Sequence, residues 1–313
     1  MDKLCIIVTL YKSKSTIDFL LEEANKFSES CKLFIPEFVF VEDRCPEYSL
    51  KYLLSEINKY PNIKYIYYRL SKNFGAPKAM KCGFTCGNGD YYTTIGSDLQ
   101  EGFGSVARAY EKLKTENADV CFGVRKKRND PIISKVYSSI YWYLYRRFII
   151  QEIPPGGVDF FVCNRKVRDS FCEIKEITSF MVGLIYWLGF KRVYIDYERY
   201  ERKFGKSSWS FTKKISYLAD SVFSYSKLPI NILMYSGAIG VFLSASLGII
   251  TFIGKISGKI PVQGYTTLII VLCFFSSLLI LALSILGQYI WRIFDNTKKR
   301  QLYVIDKDFS SDA

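Results

Sequence analysis

Gly96-Ser97-Asp98-Leu99-Gln100 closes a short β-rich run that starts at Tyr91. A carboxylate and an amide oxygen two residues apart, just past a strand's carboxyl end, stand where open α/β sheets bind ligands. Such oxygen donors suit a hard cation, Mg2+ or Mn2+, carrying a diphosphate. The plain alternative for Asp98 is a turn residue. A second acidic pair, Glu42-Asp43, ends the run Phe38-Val39-Phe40-Val41, and Asp159 follows the rigid loop Pro154-Pro155-Gly156-Gly157. Asp43 and Asp159 carry the same alternative, a capping or turn role. Cations gather at Arg125, Lys126, Lys127, Arg128 and Lys135, and again in a basic loop around Gly205 that holds Arg202 and Lys206. Guanidinium forks match phosphate oxygens, which makes Arg125, Arg202 and Lys206 candidates for phosphate groups. A cationic loop beside a membrane serves anionic headgroups equally well. The chain contains no histidine, which removes the usual general base and any Ser-His or Cys-His nucleophile pair.

Alternating strand and helix patterns must position these groups. Leu4 to Tyr11 is a near-continuous apolar run, as expected of a strand buried on both faces. Ile17, Leu20, Leu21, Ala24 and Phe27 recur at helical spacing, as do Leu50, Leu53, Leu54 and Ile57. Ile63 to Tyr68 reads as a third strand. Pro77 suits the first turn of a helix that Gly87-Asn88-Gly89 ends. A helix from Val106 to Leu113 and strands at Asp119–Val124 and Lys191–Tyr197 complete the pattern. Strands alternating with helices predict a doubly wound, mainly parallel α/β sheet.

The remaining composition points to a membrane. The 313 residues carry a net charge of +13, and aromatics make up 17 %, which favours anionic partners and bilayer interfaces. Between Lys227 and Lys255 lie 27 residues without a formal charge, and between Lys259 and Arg292 lie 32. About 20 apolar residues span a bilayer, so two transmembrane helices are expected near 230–254 and 265–290. Lys213, Lys214 and Lys227 precede them and Arg292, Lys298 and Arg300 follow, which keeps both termini cytoplasmic by the positive-inside bias. The paired spans explain the basic flanks better than nucleic acid does. Ser134 to Ile150 is either a helix lying in the membrane surface or a domain helix with a Tyr-rich packing face. Nine scattered cysteines and the absence of a signal peptide fit a reducing compartment. The expected layout is a catalytic domain over 1–210, an interfacial helix over 211–228, the spans within 229–292 and a cytoplasmic tail over 293–313.

NFGAPKAMKCGFTCGNGDYYTTIGSDLQ resembles the central block of the polyprenyl-phosphate glycosyltransferases, inverting enzymes of the GT-A fold related to dolichol-phosphate mannose synthase. FVFVEDRCP is similar to that family's nucleoside-holding strand end, and ERKFGKSSWSF to its basic loop. The resemblance runs from Ile6 to about Tyr303 and implies transfer of a sugar from a nucleotide-diphosphate donor to polyprenyl phosphate at the bacterial plasma membrane. It implies Asp98 and Gln100 as ligands of Mg2+ or Mn2+. Thr9, Tyr11, Glu42, Asp43, Asn73 and Ser97 would bind the nucleotide-sugar, with UDP the expected nucleotide. Lys135, Ser138, Arg202 and Lys206 would bind the lipid phosphate, and Asp159, with Arg125, would act in catalysis. It also implies a homo-oligomer, a tetramer, with the tail after Arg300 packing on a neighbour.

Two departures stand out. Gly96 occupies the place of the family's first acidic metal residue, and Thr9-Leu10-Tyr11-Lys12-Ser13-Lys14 replaces an acidic turn. A degenerate transferase serving as a membrane scaffold is the rival reading. A processive polysaccharide synthase is a further one, but its Gln-x-x-Arg-Trp motif and additional membrane helices are missing here.

Overall fold

The computed structural model describes residues 1–125, 146–147, 150, 152–154, 157–175, 181–200, 228–257, 264–298 and 300–311. The described chain forms two compact units, one holding residues 1–214 with 300–313, the other 215–299.

The first unit is built on seven strands: β1 (Lys3–Leu10), β2 (Ile35–Glu42), β3 (Tyr65–Arg69), β4 (Tyr91–Gly96), β5 (Val120–Arg125), β6 (Val158–Asn164) and β7 (Arg192–Tyr197). Helices α1 (Ile17–Ser30), α2 (Ser49–Glu56), α3 (Ala76–Cys86), α4 (Phe103–Thr115), α5 (Arg165–Glu173) and α6 (Met181–Trp187) connect them. The sheet order is β3-β2-β1-β4-β6-β5-β7. β6 runs antiparallel to both its neighbours, and the other pairs are parallel. The predicted doubly wound, mainly parallel sheet is therefore observed.

Burial on both faces explains the apolar character of β1. Leu4, Ile6, Val8 and Leu10 join Phe34, Phe38, Phe40 and Val106 in one core. On the opposite face Ile7 meets α3, where a β-carbon at Gly83 would lie 2.3 Å from Ile7 Cγ2. The helix can approach this closely only because position 83 lacks a side chain. A comparable fit holds β5 to β6: a β-carbon at Gly123 would fall 2.1 Å from the Phe160 ring.

Strand β3 is an edge, and an open edge leaves backbone groups unpaired. The C-terminal tail covers it. Leu70 and Ile305 form an antiparallel bridge, Ser71 donates its N–H to Val304 O at 2.9 Å, and Asp306 N donates to Arg69 O at 2.8 Å. Ser311 N donates to Tyr67 O at 2.7 Å, and the Ser310 and Ser311 hydroxyls accept the N–H groups of Arg69 and Tyr67. Arg44 pairs with Asp306 at 3.0 Å, and Arg69 lies over the Phe309 ring. The tail was expected to pack on a neighbouring copy; it is its own chain's edge strand that it satisfies.

The second unit contains α7 (Leu228–Ile256) and α8 (Tyr265–Thr297). They touch where Gly240 faces Phe275 and Leu278, and a β-carbon at position 240 would lie 3.4 Å from the Phe275 ring. Large apolar side chains along both helices, among them Phe242, Ile253, Phe274, Leu281 and Ile290, are exposed. Among the described residues one segment, Phe274–Thr297, is long and apolar enough to cross a membrane.

Candidate active site

Chain order fixes where a ligand crevice opens. β1 leads to β2 and β3 on one side, and the chain then returns to place β4 on the other flank of β1. The carboxyl ends of β1 and β4 are thus a topological switch point, where loops diverge and leave a cleft. Thr9 pairs with Gly96 at this end of the sheet. A hydroxyl clasp spans the gap: Ser97 Oγ lies 3.0 Å from Ser13 Oγ, which also accepts the Tyr11 N–H at 3.2 Å. Ser13 is 5 % exposed, and its own N–H donates to Ser49 Oγ on α2. Lys12 turns the chain with φ of 53°, and Tyr11 beside it is 43 % exposed.

Asp98 enters from β4 on two successive turns, Leu99 N to Gly96 O at 3.0 Å and Gly102 N to Leu99 O at 3.2 Å. Leu99 adopts φ of 51°, a left-handed conformation that costs a non-glycine residue of order 1 kcal/mol or more and gathers at functional sites. The turns fold the acids back over Gly96. A β-carbon there would lie 2.7 Å from Asp98 Oδ1 and 3.7 Å from Glu101 Oε2, and Glu101 Oε2 accepts the Gly96 N–H at 3.4 Å. The space beside Gly96 is thus occupied by carboxylates arriving from two and five residues later. Burial pushes the Glu101 carboxyl above the usual range, and the neighbouring Asp98 and Asp159 charges add to the shift against the opposing Arg199.

Asp98 and Glu101 bring two carboxylates together over Gly96, oxygen donors of the type a hard cation takes. Among the described residues no three acidic, thiol or imidazole groups converge on one point. Substrate phosphates and water would complete an octahedron. Gln100 does not share in it here: the side chain is 9 % exposed, Arg199 donates to its Oε1, and its Nε2 donates to Tyr200 O at 3.2 Å. The predicted second oxygen ligand is instead a fastener for the segment after β7.

Asp159 meets Arg125 in a two-pronged pair, with Nε to Oδ2 and Nη2 to Oδ1 both 3.0 Å. Tyr197 donates its hydroxyl to the same carboxylate, so three adjacent strands contribute one residue each. Burial, and then the Asp159 charge, pushes the Tyr197 hydroxyl far up, keeping it protonated as a donor. The fork of Arg125, predicted for phosphate, is turned to Asp159.

The β2 end departs most from expectation. Asp43 is 3 % exposed, and its two oxygens accept the N–H groups of Phe74 at 2.6 Å and Gly75 at 2.8 Å. It holds the turn that leads into α3, the turn role that its alternative named. Glu42 is 1 % exposed, accepts the Leu50 N–H at 2.9 Å and pairs with Arg69 at 3.2 Å. Predicted for the nucleotide, it joins α2 and β3, because the final β2 residues direct their carboxylates inward. Asn73 stands exposed beside the Asp43 turn.

Arg202, Lys206, Lys135 and Ser138 lie outside the described residues, as does the expected interfacial helix over 211–228 except Leu228, which opens α7. Ser13, Glu101, Tyr197, Arg199 and Tyr200 were not expected from the sequence. Only Glu101 gave a signal, as the acid following Asp98-Leu99-Gln100.

Known proteins resemble this chain over nearly its whole length. Putative glycosyltransferase CsbB of Bacillus subtilis is 28 % identical over 96 % of this chain and 90 % of its own length. The bactoprenol glucosyl transferase of Shigella phage SfX is 24 % identical over 97 % of this chain and 98 % of its own. A mannosyltransferase from Pyrobaculum calidifontis, solved in complex with GDP-Man and Mn2+, superposes with a TM-score of 0.46 at 12 % identity, covering 91 % of this chain and 87 % of that one. Residues 5–173, which run from β1 to the last residue of α5, match Glycosyl transferase family 2, and the chain belongs to that family.

Proposed function

We propose that this glycosyltransferase moves a monosaccharide from a nucleotide-diphosphate sugar, a UDP-hexose in the favoured case, to polyprenyl phosphate at the cytoplasmic membrane face. The carrying observation is the acid corner at the β1/β4 switch point, where Asp98 and Glu101 crowd Gly96; oxygen donors there suit a cation carrying a diphosphate. Near end-to-end similarity to the bactoprenol glucosyl transferase supports the acceptor. The two long helices with exposed apolar side chains support anchoring by two spans with both termini cytoplasmic.

A phosphate monoester is already an anionic oxygen nucleophile near neutral pH, with a second pKa of about 6. A strong general base is unnecessary, and a chain without histidine suffices. Mg2+ or Mn2+ bound at Asp98 would supply charge neutralisation for the departing diphosphate. Tyr11 and Asn73, both exposed, are assigned to the nucleoside. Asp159, fixed by Arg125 and Tyr197, orients the reacting sugar or acceptor by hydrogen bonding. Arg202, Lys206, Lys135 and Ser138 are assigned to the lipid phosphate.

The test is a panel of UDP-glucose, UDP-galactose, UDP-N-acetylglucosamine and GDP-mannose offered to purified protein with undecaprenyl phosphate, read by the mass of the lipid product. One donor should yield a hexosyl-phosphoryl lipid. No product and no metal-dependent donor binding at millimolar concentration would defeat the proposal and favour a scaffold.

A further inference from the structure

Tyr200 is a large aromatic held beside the acid corner yet 64 % exposed. Three contacts fix it. Its N–H donates to Gln100 O at 2.9 Å, its carbonyl accepts from Gln100 Nε2 at 3.2 Å, and its ring lies against Gly102. A β-carbon at Gly102 would sit 2.7 Å from Tyr200 Cε2, and φ there is +67°. The sequence thus provides a glycine where the ring rests and a turn only glycine adopts readily.

We propose that Tyr200 is the platform on which the donor's hexose ring stacks, which rests on the transferase reading above. An aromatic pinned on one side and open on the other has already lost most of the freedom that binding would remove. Its open face is apolar and its rim polar, which complements a pyranose: axial C–H groups form one apolar face, and hydroxyls line the edge. The location follows from the two turns. Each closes three residues to within about 7 Å, so Gly102 stays close to Gly96 and Asp98. A sugar attached to a diphosphate at Asp98 reaches outward past Gln100, over the residue to which Tyr200 is fastened. Asp159 and Tyr197 lie within electrostatic reach of Glu101 in the same corner, so a hexose there is also presented to them.

The experiment measures binding of UDP and of the four panel donors to the full-length protein in detergent with Mn2+, for wild type, Tyr200→Ala and Tyr200→Phe. Tyr200→Ala should weaken the best wild-type donor about 3- to 10-fold, the range of one aromatic contact, with UDP itself within about 2-fold. Tyr200→Phe should bind both like wild type. Equal losses for UDP and the sugar donor, or no loss in either, would overturn the platform. Weakened association with anionic vesicles alongside unchanged donor binding would assign the ring to the bilayer and also overturn it. Failure of the transferase reading is separate, since wild type would then bind no donor in the panel.

Discussion

Replacing Gly96 by alanine would place a methyl group 2.7 Å from Asp98 Oδ1. Position 96 lies within β4, so an L-residue fits the strand and the conflict lies between side chains alone. The neighbour is the far end of a carboxylate, which gives way by rotation. The fold should therefore survive, while Asp98 is driven from the orientation in which it faces the cradle. Holding a side chain about 30° off its rotamer costs about 0.5–1.5 kcal/mol, equivalent to about 2- to 12-fold in a binding constant. Titration of Mn2+, followed by the paramagnetic signal of the free ion, should show that loss for Gly96→Ala with little change in melting temperature.

Gly96→Asp sharpens the test. Judged from the motif resemblance alone, it restores a missing ligand and should strengthen the site. In this structure the space is already taken by the oxygens of Asp98 and Glu101, and a third carboxylate adds repulsion as well as a clash. Gly96→Asp should bind Mn2+ no better than Gly96→Ala, and Glu101→Gln should weaken Mn2+ in the wild-type background. Tighter Mn2+ binding by Gly96→Asp would refute the reasoning, because the glycine would then be a vacancy.

Removing Arg300–Ala313 should lower stability by about 2.5–5 kcal/mol, from five hydrogen bonds to β3 and Ser71 worth about 0.5–1 each, and should promote self-association, seen by light scattering. Arg125→Ala and Asp159→Ala should each reduce transfer, and the double variant should lose less than the sum, because either change dissolves the same fork; strict additivity would separate them. Glu42 offers a pH test. Burial raises its carboxyl above the ordinary 4.5, against the Leu50 N–H and Arg69, so its stabilising contribution is present below that value and is lost as pH rises through the folded-state value. Glu42→Gln should therefore gain stability relative to wild type between pH 4.5 and pH 7 in thermal melts; a relative loss over that interval would contradict the sign.

Local physics made much of the fold legible. Pro77 and Gly87 bracket α3 as expected, since a residue lacking an N–H belongs in a first turn and the helix ends at Cys86. The unbroken apolar run of β1 announced burial on both faces, which the flanking helices provide. The tail was illegible because its pairing with β3 depends on backbone groups about 240 residues away, and a short polar segment carries no period that names its partner.

The site divided along a different line, between where a residue stands and where its side chain points. Asp98 and the Glu42-Asp43 pair were all placed correctly at strand ends. A strand end does not say whether a carboxylate faces ligand or protein, and that choice went inward for Glu42 and Asp43 because unpaired N–H groups of α2 and the α3 turn were waiting there. Gly96 shows the converse. Read along the chain it is an acid lost; read in space it is room made, because the left-handed Leu99 reverses the backbone and returns Glu101 to the position left open. A linear motif records which residues are neighbours in sequence. The proposed metal corner needs oxygens that are neighbours in space, and the turn at Leu99 brings Glu101 to Gly96 from outside the motif.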